Sequence, residues 1–274
     1  PFSLLSAASR TAIEALGVAQ IGQPYREGDY AWITDLTHPT HPLTEAQLAQ
    51  KKRVFYDAMI EATDANLGYL LDRIAPLVRD TPCLTDRIAP KVSDTMIFVF
   101  GDNGPEASVV DPTRFDPNRA KRTCYQFGVH EPLIVAGPLV QAGGRLCDHP
   151  VGAVDFWRTI RDVAGAREVP GMIASDIVID SVSFLPYLVD PNAPRGREYA
   201  FSEVFNPIGN PANLGIGARQ RMLTDGRWKL IRTGLDDVEE FYDLQSDPLE
   251  LQNLLPSSNP SVKAERDRLA LELD

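Results

Sequence analysis

Residues Met96 to Phe100 form an unbroken apolar run, M-I-F-V-F, that ends abruptly in Gly101-Asp102-Asn103-Gly104. A strand with one wet face alternates apolar and polar residues, whereas a strand covered on both faces reads as a continuous run. The run therefore predicts an inner strand, Thr95–Phe100, of an α/β sheet. In open α/β sheets ligands collect just beyond the carboxyl ends of the strands. An Asp and an Asn at that place offer two hard oxygen donors, the chemistry of a Ca²⁺ site, with Mg²⁺ as the alternative. The flanking glycines would let the backbone turn sharply. D-N-G is also a common turn sequence, so a plain turn is the competing reading.

The rest of the chain supports a mixed α/β reading. Thr44-Glu-Ala-Gln47 matches a capping box, and Leu48, Phe55, Met59, Ala62 and Tyr69 follow near one face of a helix ending at about Arg73. Pro132–Gly137 reads as a second buried strand. Val154, Trp157, Ile160, Val163 and Ala164 mark a helix that stops at Gly165. From Arg195 onward short strands are expected, at Tyr199–Val204, Gln220–Thr224, Trp228–Ile231 and Glu240–Tyr242. Asp225-Gly226 is a hairpin signal among them, and Pro260–Leu273 reads as a closing helix. The expected division is a main α/β part over 1–194 and a small antiparallel subdomain over 195–274.

Composition excludes more than it assigns. A formal net charge of -11 makes the chain a poor partner for nucleic acid. The cysteines, Cys83, Cys124 and Cys147, are odd in number and contain no C-x-x-C pair, which argues against a disulfide framework. No apolar run reaches the length of a membrane span. No signal peptide is visible, and the compartment stays open. His38 and His41, in T-H-P-T-H-P, are three apart, but the prolines exclude the regular helix that would put both on one metal.

Five motifs, in order, resemble the sulfatase family of the alkaline phosphatase superfamily. They are the D-N-G turn, the segment Lys121–Pro132 (K-R-T-C-Y-Q-F-G-V-H-E-P), the segment Val151–Gly165, the stretch Asp225–Ile231 (D-G-R-W-K-L-I), and Glu240–Pro248 (E-F-Y-D-L-Q-S-D-P) with Asn253-Leu254 after it. The resemblance implies a partial alkaline-phosphatase-like sandwich, a mainly parallel or mixed sheet flanked by helices. It implies hydrolysis of sulfate esters, on small molecules or sulfated glycans, by a formylglycine nucleophile beside a calcium ion. Asp102 and Asn103 would be two of the calcium ligands, and Lys121 would contact the sulfate. His130 stands where the family has Arg, and Gln126 where it has Glu. His130, His38 and His41 are the remaining candidates for a supporting role.

In the family the nucleophile motif lies far upstream of D-N-G, and neither C-x-P-x-R nor S-x-P-x-R is present in this sequence. Cys83-Leu-Thr-Asp-Arg87 has the right Cys–Arg separation, but Thr85 stands where Pro or Ala belongs. The chain reads as the C-terminal portion of a sulfatase, inactive alone and with its calcium weakly held or absent. Covalent turnover needs a nucleophile. Two further readings stand beside it: a non-catalytic remnant that binds or oligomerises, and a phosphodiesterase or phosphonate monoester hydrolase on the same scaffold. A homo-oligomer, or a missing N-terminal half, would cover the exposed sheet edge.

Overall fold

The computed structural model describes residues 6–15, 44–74, 95–167, 177–205 and 219–274. His38, His41 and Cys83 lie outside them. Two compact units organise the chain, one within Pro1–Val92 and Pro105–Ala120, the other within Ser93–Gly104 and Lys121–Asp274.

Among its described residues the first unit holds the helices α1 (Ala7–Ala15) and α2 (Glu45–Ile74). The capping box forms as its sequence requires: Thr44 N donates to Gln47 Oε1 at 2.9 Å, and Gln47 N donates to Thr44 Oγ1 at 3.2 Å. α2 packs mainly on α1 and on a 3₁₀ turn at Ala107–Val109. Its buried apolar residues are Ala58 and Leu71, while Met59 and Tyr69, which spacing had placed on one stripe with Phe55, are exposed.

The second unit starts with β1 (Ile97–Phe100), followed after the Asp102 loop by the short helical turn α3 (Gln126–Val129) and β2 (Leu133–Ala136). β1 and β2 pair antiparallel, Phe98 opposite Val135 and Phe100 opposite Leu133. Among the described residues β1 has one neighbour, and that neighbour is antiparallel. One face of the pair, with Phe98, Leu133 and Val135, packs on α4 (Asp155–Val163) and α5 (Leu185–Val189) through Phe156, Phe184, Tyr187 and Leu188. The other face carries buried Ile97 and Ala136 beside exposed Ile134.

The C-terminal part is a four-stranded antiparallel sheet in the order β3 (Ala200–Phe205), β4 (Arg219–Thr224), β5 (Trp228–Thr233) and β6 (Val238–Asp243), closed by α6 (Pro260–Leu273). Asp225 Oδ1 accepts from Arg227 N and Trp228 N, and Gly226, at φ 95°, turns the β4–β5 hairpin in a region that favours glycine. Successive β5 residues serve opposite faces. Leu230 joins Leu223, Phe241, Leu269 and Leu273 under α6. Ile231 joins Cys124, Met222 and Tyr242 on the other side, where Tyr125 and Val129 cover the sheet. The Lys121–Pro132 segment is therefore a lid on this sheet, and its position follows from that packing. Among the described residues no helix is long and apolar enough to cross a membrane.

Candidate active-site loops

The Asp102–Asn103 loop leaves β1 and is tied at both ends to the turn that follows Lys121. Gly101 N donates to Pro132 O at 3.2 Å, and Gly104 N donates to Gly128 O at 3.1 Å. A Cβ on Gly104 would collide with Phe127 O, and one on Gly101 would collide with the Glu131 carboxylate. Neither glycine is among those with positive φ, so they serve close approach of two backbones and not the sharp turn expected from the sequence.

Asp102 is exposed, and its Oδ1 accepts from Asn103 N at 3.0 Å and from Asn103 Nδ2 at 3.2 Å. Asn103 Nδ2 also donates to Gly104 O at 3.3 Å. Both bonds use the Asn103 nitrogen and leave its amide oxygen out of them. The free oxygens are hard donors suited to Ca²⁺ or Mg²⁺, yet a calcium shell needs about six to eight oxygens. Among the described residues no group of three or more His, Cys, Asp and Glu side chains gathers as a metal site. The pair thus fits part of such a site. Glu131 lies beside it: burial first, and then the negative charge of Asp102, hold its carboxyl above the usual range. Sequence reading passed over this residue; the available signal was an acid directly before Pro132 in H-E-P.

Lys121 is half-buried at the head of the lid segment, followed by Arg122 at φ 70°, an uncommon conformation for a residue with a side chain. His130 is exposed at the far end of α3, its N donating to Gln126 O at 2.8 Å. The Asp102–Asn103 loop is thereby tied to the segment that Lys121 opens and that carries His130.

Three consecutive residues anchor that turn to the sheet. Cys124 N donates to Gln220 Oε1 at 2.8 Å on β4. Tyr125 OH donates to Glu240, 2.9 Å from each carboxylate oxygen, on β6. Gln126 N donates to Glu250 Oε2 at 2.6 Å, and Gln126 Oε1 accepts from Lys229 Nζ at 3.1 Å. Lys229 and Glu250 form a fully buried ion pair at 2.7 Å, their side chains 0% and 1% exposed. Burial pushes the Lys229 ammonium below its ordinary range, opposed by Glu250. Gln126, Lys229 and Glu250 come from three separate motifs of the sequence, and they meet here.

Cys124 is a packing residue. Burial pushes its thiol up to about 12, so it carries almost no thiolate at neutral pH. In the native chain at pH 8, iodoacetamide is expected to label exposed Cys147 and to spare Cys124 until denaturant is added. Peptide mapping checks this, and labelling of the two at equal rates would contradict it.

In the Val151–Gly165 segment, Asp155 and Thr159 turn inward. The buried Asp155 carboxylate accepts from Gly152 N and Val182 N, each at 2.8 Å, and pairs with both Nε and Nη2 of Arg197. Thr159 Oγ1 donates to Asp155 O at 2.8 Å and accepts from Phe184 N at 2.9 Å.

This architecture, an apolar strand ending in a D-N-G loop and joined to a small antiparallel sheet under one helix, is a fold shared with solved structures of sulfatases and phosphonate monoester hydrolases. The phosphonate monoester hydrolase of Agrobacterium radiobacter superposes with a TM-score of 0.59 at 22% identity, over 83% of this chain and 42% of its own. Residues 115–273 match the family described as N-sulphoglucosamine sulphohydrolase, C-terminal, and the chain belongs to that sulfatase family. Arylsulfatase K of Danio rerio is 28% identical over 221 residues, and choline-sulfatase of Rhizobium meliloti 27% over 241 residues. These alignments take in 79% and 85% of this chain but only 36% and 39% of the relatives, so the chain spans well under half of their length.

Proposed function

We propose that this chain supplies the C-terminal portion of a sulfuric ester hydrolase, with Asp102 and Asn103 as two calcium ligands and Lys121 as the cation that meets the sulfuryl oxygens. The observation that carries the reading is the backbone tie of the Asp102 loop to Gly128 and Pro132, in the same segment that Lys121 opens. A bound calcium ion would polarise the sulfuryl group. Lys121 would neutralise charge that develops on the sulfuryl oxygens as the ester bond breaks. Half-burial of Lys121 lowers the effective dielectric around it and strengthens that contact relative to a fully solvated lysine. The substrates are sulfate esters of small molecules or sulfated glycans. The chain alone turns nothing over, because it carries neither a C-x-P-x-R nor an S-x-P-x-R nucleophile motif.

The test has two arms. With nitrophenyl sulfate and Ca²⁺, the chain alone is expected to stay at background. A longer product of the same gene, carrying an upstream C-x-P-x-R or S-x-P-x-R motif, is expected to hydrolyse the ester, and Lys121→Ala in it to lower kcat about 10²–10³-fold. Calcium-dependent turnover by the chain alone that disappears in Cys83→Ala would overturn the inactivity. Unchanged kcat in Lys121→Ala would remove the lysine's role. The likeness to a phosphonate monoester hydrolase favours one second reading, because a lysine and a divalent ion serve a phosphoryl group equally well. Faster turnover of a phosphate diester than of the sulfate would select it.

A further inference from the structure

We propose that Glu250, held in place by Lys229, is a positioning residue for the candidate site, although it lies outside the loops that form it. This rests on the reading of Asp102, Asn103 and Lys121 given above.

Glu250 stands at φ 58°, a left-handed conformation uncommon for a residue with a side chain, with its N donating to Asp247 O at 3.1 Å. That backbone sends its carboxylate into the lid, where one oxygen binds Lys229 and the other accepts Gln126 N. Gln126 is the first residue of α3, whose leading N–H groups have no partner within a helix and must find one outside. The turn then closes on itself, Gly128 N donating to Tyr125 O at 2.8 Å and Val129 N at 3.1 Å. Its far end holds Gly104 N through Gly128 O. One continuous chain of bonds thus runs from Lys229 through Glu250, Gln126 and Gly128 to the residue after Asn103. Lys229 also bonds the Gln126 side chain, so main chain and side chain of that residue are fixed together. A carboxylate accepting a main-chain N–H makes a charge-assisted bond, stronger than a neutral one.

The test is amide exchange on the full chain, which requires no catalysis and so fails independently of the sulfatase reading. Two charge-free pairs are compared. Lys229→Met with Glu250→Leu removes the acceptor for Gln126 N; Lys229→Met with Glu250→Gln keeps one. In the Leu pair, Gln126 and Gly104 amides are expected to exchange about tenfold faster or more, while Leu230 and Phe241 stay within about twofold. In the Gln pair, which keeps an acceptor but neither charge, Gln126 and Gly104 are expected to fall between the parent and the Leu pair, with Leu230 and Phe241 unchanged. Parent-like protection of Gly104 in the Leu pair, equal loosening of Leu230 and Phe241, or failure of the Gln pair to rescue would each overturn the proposal. Should the Leu pair not fold, Gln126→Pro removes the same bond from the donor side, at a helix-start position that tolerates proline. Unchanged Gly104 protection in that variant would equally overturn it.

Discussion

Replacing Lys229 by Met is expected to lower the unfolding free energy by about 3–5 kcal/mol, because it leaves the Glu250 carboxylate buried without its cation. The pair is 0% and 1% exposed, so water cannot take the place of the missing partner. The gross attraction of such a pair is largely offset by desolvation, and the loss on breaking it comes mainly from the orphaned charge. Replacing both members, with Lys229→Met and Glu250→Leu, is therefore expected to recover most of the loss. Urea unfolding of the single and double variants decides the matter. A double variant as unstable as Lys229→Met would mean that the pair contributes far more than it costs to bury.

Asp155→Ala should be comparably severe, again about 3–5 kcal/mol. The substitution strips the acceptor from Gly152 N, Val182 N and the Arg197 guanidinium at once, in a site where the Asp155 side chain is 2% exposed and Arg197 17%. Asp155→Asn preserves shape but not function, because its NH₂ must face a donor from either Arg197 or one of the two amides. It is expected to fall close to Asp155→Ala in thermal unfolding. Near-parent stability for Asp155→Asn would show that one oxygen suffices.

Elements whose signals are local were legible in the sequence. The capping box at Thr44, the hairpin at Asp225-Gly226 and the closing helix Pro260–Leu273 all formed where their residues put them. Leu269 and Leu273 are buried in that helix as its spacing required. The helix Asp155–Val163 was legible as a helix, but not its orientation. Trp157 and Ile160, from the stripe that marks it, are half exposed, while Asp155 and Thr159 are buried. Periodicity assigns the apolar side inward, and here polar groups supplied by residues 180–197 reverse that assignment. The pairing of β1 was illegible for a related reason. An apolar run reports hydrophobicity on both faces, and neighbour and direction depend on distant residues. The candidate loops were half legible. Asp102, Asn103 and Lys121 stand at motif positions with a chemical role, whereas the approach of Glu131 to Asp102 and the buried support from Glu250 emerge only when separate segments are folded together.

The alternation along β5 has a consequence for how the small sheet assembles. Lys229 and Ile231 face the lid, and Leu230 faces the closing helix. Slippage by one residue against Thr224 and Tyr242 would drive an ammonium into the aliphatic cluster of Leu269 and Leu273 and strand Glu250 opposite a leucine. A single charged side chain thereby acts as an indexing pin: it makes every misaligned strand pairing costly, whatever ligand the finished protein holds.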